Sequence, residues 1–229
     1  MTGDRKHRRT ALIACKTLRH EINQAMHDLG CQYPITWVDS EYHNDPDGLR
    51  VKLQEEIDKI KDADTILLAY GCCGNGTVGL NASTADLIVP RIEDCIAMVL
   101  SKSGQIYKKQ KATFYLTKGW LEGTNSLTKE IEHAVKRYGE QQAKRVFELM
   151  FKHYKYLMLI DTKAYSLDDC LAETKTLAES LNLKLILAQG DIWLLKKLLA
   201  GSSDQDFCLI RKGETVSNQD FGIITQDLP

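Results

Sequence analysis

The chain has 229 residues, 43% of them hydrophobic and 27% charged, with 30 Lys+Arg against 31 Asp+Glu for a formal net charge of −1. That length supports one full hydrophobic core, in a single large domain or two closely joined halves. Balanced charge argues against a dedicated nucleic-acid binder, whose affinity comes from an excess of phosphate-neutralising cations.

The start Arg5-Lys6-His7-Arg8-Arg9 reads as a solvated terminus, with a phosphate-binding arm as the alternative. Ala11 to Ala14 is too short for the apolar core of a secretory signal. No stretch approaches the ~20 apolar residues that cross a bilayer. The expectation is a cytoplasmic protein without a membrane partner, whose seven cysteines are mostly reduced thiols.

Ala11-Leu12-Ile13-Ala14 predicts a buried strand, followed by Leu18, Ile22, Ala25, Met26 and Leu29 at helical spacing and a closing Gly30. Ile35–Val38 is a second strand, and Leu49, Leu53, Ile57 and Ile60 mark a helix face. Thr65–Tyr70 is a third strand, ending in Gly71-Cys72-Cys73-Gly74-Asn75-Gly76. A short run at Leu87–Val89 stops at Pro90, and a short helix is expected over 94–101. Thr113–Leu116 is another strand, and a long helical region spans 127–154 with a possible bend at Gly139. Tyr156–Ile160 is a strand, a Ser166/Asp169 capping box opens a helix, Leu185–Ala188 is a strand, Asp191 caps a helix, and Phe207–Ile210 is the last strand.

This rhythm predicts one α/β domain over 1–229, a mostly parallel sheet with helices on both faces. Two β-α-β-α-β lobes, 10–120 and 155–215, flank an irregular centre and are joined by the long helix.

Open parallel sheets bind ligands beyond the carboxyl ends of their strands. Cys15 ends the first strand, Cys72-Cys73 follow the third, and Cys95 lies beyond Leu87–Val89, so three loops carry thiols to one edge. Cys31, Cys170 and Cys208 read as core or incidental cysteines. Cys73 is preferred to Cys72 as the residue facing the site, because Gly74 beside it permits close backbone approach. Three convergent thiolates suit a four-iron cluster with one iron open, or zinc with His43 as a fourth ligand. Alternatively, Cys95 at a helix N-terminus near Arg91 is a nucleophile of depressed pKa, or the thiols simply pack.

Gly74-Asn75-Gly76-Thr77-Val78-Gly79 matches the dinucleotide fingerprint literally, but only about two turns of chain precede Val89-Pro90. Gly74, Asn75 and Gly76 are therefore read as a loop that wraps a compact ligand and offers it N–H donors. Arg91 is placed to grip a substrate carboxylate, with a structural ion pair to Glu93 or Asp94 as the alternative. Lys118 and Trp120 follow another strand and line the same pocket or pack. Tyr42-His43-Asn44 reaches its rim or is simply solvated.

Together, Ala14-Cys15 with Leu18 and Glu21, Tyr70 to Gly76, Pro90-Arg91-Ile92-Glu93-Asp94-Cys95-Ile96 and Tyr115 to Trp120 resemble the prokaryotic family catalogued as domain of unknown function 1638. The resemblance covers most of the chain. It implies three-cysteine α/β proteins of anaerobes and methanogens, linked with corrinoid methyl transfer. The family's marked cysteines fall on Cys15, Cys73 and Cys95, with Arg91 and Asp94 in its Pro-Arg-x-x-Asp-Cys run. Cys72 departs from the pattern, where an apolar residue is expected. The three-cysteine arrangement is similar to that of non-redox cluster enzymes such as thiouracil desulfidases.

The expected function is a 4Fe-4S protein with Cys15, Cys73 and Cys95 as ligands. Arg91, Asp94 and His43 would serve catalysis, and Gly74, Asn75, Gly76 and Lys118 would bind cofactor or substrate. The reaction would be a lyase or sulfur-transfer step on a small acidic substrate. The alternatives are a metal- or cofactor-holding accessory protein and a metal-free thiol enzyme using Cys95.

Overall fold

The computed structural model describes residues 9–222, so most of the basic start lies outside the described residues. The first half comprises β1 (Thr10–Cys15), α1 (Arg19–Leu29), β2 (Ile35–Val38), α2 (Pro46–Lys59), β3 (Thr65–Ala69), β4 (Asp86–Pro90), α3 (Cys95–Leu100), β5 (Thr113–Leu116) and α4 (Lys118–Glu122). The second comprises α5 (Leu127–Tyr138), α6 (Glu140–Phe151), β6 (Tyr156–Asp161), α7 (Asp168–Ser180), β7 (Lys184–Gln189), α8 (Trp193–Leu199) and β8 (Phe207–Ile210).

These strands form a five-stranded sheet, ordered β2-β1-β3-β4-β8, and a three-stranded parallel sheet, β5-β6-β7. The expected α/β class holds. β1 to β4 pair in parallel, and β8 closes the edge antiparallel to β4, Val89 facing Cys208. All five residues of β3 are buried, as a parallel strand covered on both faces requires.

The expected lobes trade strands. Thr113–Leu116 leaves the first half to pair with β6, Thr113 opposite Tyr156, while Phe207–Ile210 returns to the first sheet. The parallel β5–β6 pair needs a long crossover, and α4, α5 and α6 supply it. The crossover is two helices rather than one, because Gly139, at φ +79, breaks it. That backbone conformation suits glycine and stops both helices.

The Ser166/Asp169 capping box does not form; Lys118 Nζ takes the Asp169 carboxylate at 2.7 Å instead. Asp191 sits one residue before the Ile192 N-cap, its carboxylate accepting from Trp193 N at 2.7 Å. No helix follows the glycine run, which removes the dinucleotide geometry. Among the described residues no helix is long and apolar enough to cross a membrane.

In the first sheet β1 sits between β2 and β3, so the chain leaves β1 toward one side and returns on the other. The crevice beyond β1 and β3 is the topological switch point, where such sheets bind ligands. Cys15 ends the first of those strands, and Tyr70 to Cys73 follow the second.

Candidate functional site

Two loops are zipped together beyond β3 and β4. Cys72 N donates to Ile92 O at 2.9 Å and Cys73 N to Glu93 O at 2.7 Å. Glycine at 71 makes this approach possible: a Cβ there would lie 2.6 Å from Ile92 O and 2.8 Å from Asp94 N. The chain then turns through three consecutive left-handed residues, Cys73 at φ +48, Gly74 at +63 and Asn75 at +71. For a residue with a Cβ this conformation costs about 1–2 kcal/mol, and such strain concentrates at functional sites. The turn separates the adjacent cysteines: Cys72 Sγ bonds to Asn75 Oδ1 at 3.2 Å, while Cys73 joins the other thiols.

Cys15 lies in the β1–α1 turn, its Sγ 2.9 Å from Thr17 Oγ1. α4 presses on this turn so closely that a Cβ on Gly119 would sit 2.0 Å from Thr17 O. Cys95 is the first residue of α3. Asp94 caps that helix, its Oδ1 accepting from Ile96 N at 3.1 Å and Ala97 N at 3.0 Å. The other Asp94 oxygen takes Lys109 Nζ at 2.8 Å, and the same ammonium reaches Glu93 at 2.9 Å.

Burial first, and then each other's charge, shapes the three thiols. Desolvation pushes all three above the ordinary cysteine range; Cys15 further raises Cys73, and Cys15, Asp94 and Cys73 further raise Cys95. Tyr70 is only 1% exposed, and its Oη has no oxygen or nitrogen hydrogen-bond partner. Desolvation, then Cys15, Cys73 and Cys95 in turn, hold its phenol well above its usual range. Four groups thus share one dry space, all protonated when nothing is bound. The expected depressed Cys95 thiol is corrected: burial outweighs the helix terminus, and Arg91 lies elsewhere.

A cavity of about 350 Å³ opens onto Cys73 and Cys95 between Asn44, Pro46, Lys109 and Trp120. A larger one, about 740 Å³, shares Asn44, Asp94, Ile96, Lys109 and Trp120 with it and continues toward α5 and α6. Among the described residues, no three His, Cys, Asp or Glu side chains are arranged to hold a single metal ion.

The other expected site residues divide. Gly74 lines the thiol cavity. Asn75 holds Cys72, and its carbonyl takes Arg50 Nη2 at 3.1 Å. Gly76 packs under Leu49, whose Cδ2 would be 2.8 Å from a Cβ. The loop turns several N–H groups on itself, Gly76 N to Cys73 O at 3.1 Å and Val78 N to Asn75 O at 3.2 Å, rather than presenting a row of donors.

Arg91 faces away from the thiols. Its Nε donates to Phe207 O at 2.9 Å and its Nη1 to Asp220 O, so it ties β8 and the following turn to β4 instead of gripping a substrate. Lys118 does not line the thiol cavity; its Nζ pairs with the Asp169 carboxylate at 2.7 Å. His43 falls within a 3-10 turn at Ser40–Asn44; its side chain lies outside the described residues. Cys170 and Cys208 are buried, their thiols directed to Leu167 O at 3.3 Å and Asp220 O at 2.9 Å.

Tyr70 and Lys109 escaped the sequence reading. Tyr70 looked like the end of a strand, and Lys109 sits in Lys108-Lys109-Gln110-Lys111, which reads as solvated charge.

Fold and site together define an α/β protein with a buried three-thiol cluster at a sheet switch point. The chain belongs to the family described as protein of unknown function (DUF1638), whose model matches residues 37–199. Cys73 and Cys95 fall inside that match, and Cys15 precedes it. No curated protein and no solved structure matches the chain.

Proposed function

We propose that Cys15, Cys73 and Cys95 are the protein ligands of a four-iron, four-sulfide cluster whose remaining iron is open to a small molecule in the adjoining cavity. One observation carries this reading: three thiols from three loops, with the Tyr70 hydroxyl among them, share a desolvated space in which Cys15 raises the pKa of Cys73 and Cys95. An all-thiolate donor set is what iron–sulfur clusters use. A single zinc ion draws tetrahedral sulfurs to within about 3.8 Å of each other. A cluster takes each thiolate on a different iron and so accepts wider spacing.

Bound there, the cluster would supply a Lewis-acidic iron for a lyase or sulfur-transfer reaction without net redox change. The chain's own residues set the conditions. Burial of Cys15 and Cys95 excludes water, and each thiol must release its proton on ligation, so loading is favoured as pH rises. Tyr70, held protonated, offers its O–H toward the sulfurs. Asp94, fixed by Lys109, keeps Cys95 at the head of α3.

A second reading, a protein that holds the same group without turning anything over, is favoured by one feature. The carboxylates beside the thiols, Glu93 and Asp94, are both tied to Lys109, which leaves no obvious general base there.

Iron and acid-labile sulfide analysis of anaerobically purified protein, with a visible spectrum, tests the proposal. The expected result is about four irons and four sulfides per chain and a broad charge-transfer absorption. Colourless, iron-free protein that reconstitution with iron and sulfide leaves unchanged would overturn it.

A further inference from the structure

The larger cavity has walls unlike those of the thiol cavity. Phe114, Phe151 and Tyr154 line it and pack on one another, with ring centroids 5.2 Å apart for Phe114–Phe151, 5.7 Å for Phe114–Tyr154 and 5.3 Å for Phe151–Tyr154. Met150 and Tyr154 leave 56% and 38% of their surfaces exposed at its rim. At about 740 Å³ it has the size and apolar lining of a small-molecule site.

Charge decides what kind of molecule fits. The ionisable residues lining the two cavities are Glu93, Asp94 and Glu130 against Lys109, with His153 beside them. Three carboxylates against one ammonium give −2 before any contribution from His153. Lys109 is already matched by Glu93 at 2.9 Å and Asp94 at 2.8 Å, and those contacts hold its pKa up against desolvation. Glu130 is different. The residue is exposed at the cavity wall, where partial desolvation raises its carboxyl pKa, and among the described residues no cation lies within ion-pair range of it. An anion entering this groove would meet carboxylates, and the one Lys in its lining is already matched. A cation would find Glu130 beside the three aromatic side chains, the residue types that attract ammonium groups. The acidic substrate expected from Arg91 also loses its anchor, since that guanidinium is held by Phe207 and Asp220.

We infer that this groove binds a small organic cation, an amine with an aromatic or branched apolar body. The apolar part lies against Phe114, Phe151 and Tyr154, the ammonium faces Glu130, and the far end reaches past Trp120 to Cys73 and Cys95. Only that last step, joining the groove to a reacting centre, rests on the cluster proposal.

The test compares phenethylamine with 3-phenylpropionate, a matched pair that differs in the sign of its charge, by calorimetric or NMR titration at neutral pH. The protein is used both as purified anaerobically and after iron removal. The expected result is amine binding at least ~10-fold tighter than the acid, about 1.4 kcal/mol. Glu130→Gln should bring the two within ~3-fold, and Tyr154→Ala should weaken both. Equal or tighter binding of the acid, binding of neither probe, a preference unmoved by Glu130→Gln, or a solution dimer that covers Met150 and Tyr154 would overturn it. Amine preference in protein that cannot be loaded with iron would keep this inference and sink the cluster. Iron-loaded protein that binds neither probe would do the reverse.

Discussion

The two sheets present the same kind of edge to the molecule's centre, yet only one gathers chemistry. Beyond β1, β3 and β4 lie buried thiols, a phenol lacking an oxygen or nitrogen partner, and three successive left-handed residues. Beyond β5, β6 and β7 several polar groups close on one another, although Thr117 Oγ1 and Glu21 Oε2 are buried without a hydrogen-bond partner among the described residues. Lys118 holds Asp169 at 2.7 Å, Tyr165 Oη donates to Ile160 O, and Thr162 Oγ1 donates to Glu21 Oε1 at 3.0 Å. Strand ends of a parallel sheet offer a place for a site; loops that bring several thiols into one dry space make one.

The comparison breaks most severely where the two halves touch. Gly119, on α4 after a second-sheet strand, seats against the Cys15 turn, and Gly119→Ala would put a methyl 2.0 Å from Thr17 O. We expect a loss of about 3 kcal/mol or more in urea unfolding, with the thiol site disrupted. Gly71→Ala, with its Cβ 2.6 Å from Ile92 O, should cost about 2–3 kcal/mol by forcing apart the loops that carry Cys73 and Cys95. Asp94→Ala removes the α3 cap and a partner of Lys109, at about 1–2 kcal/mol by the same measurement. Asp94→Asn should recover most of that, because asparagine caps as well.

The smallest effect sharpens the second edge. Glu21 is the only fully buried carboxyl among the described residues, and desolvation raises its pKa above the ordinary carboxylate range. A carboxyl raised by folding binds its proton more tightly in the native state. Its contribution is therefore complete below the unfolded pKa and lost as pH rises through the folded one. Stability curves from pH 4 to pH 8 should show wild type losing ground to Glu21→Gln as pH rises. Parallel curves would contradict that assignment.

Much of this was legible in the sequence because apolar runs and glycine positions are local. Every strand was found, and the structure brings Cys15, Cys73 and Cys95 together while Cys72 turns to Asn75. Which sheet a strand joins is not local: Thr113–Leu116 and Phe207–Ile210 differ little in pattern from their neighbours, and pairing across a long crossover decides their place. Long charged side chains were misread for a similar reason. Arg91 and Lys118 sit on loops aimed toward the site, but their reach lets them end on Asp220 O and Asp169. Lys109, in a stretch that reads as solvated, reaches back to Glu93 and Asp94. Tyr70 was hidden because a tyrosine ending a buried strand reads as packing until its hydroxyl's surroundings are seen.

The most direct test of the account is the iron content of single Cys→Ser variants, purified anaerobically side by side. Cys15→Ser, Cys73→Ser and Cys95→Ser should each lose most of the iron held by wild type, and to a similar extent. Cys170→Ser and Cys208→Ser, whose thiols point at backbone carbonyls of the packed interior, should keep it. Full iron in any one of the first three, with the variant folded, would contradict the claim that these thiols act as one ligand set.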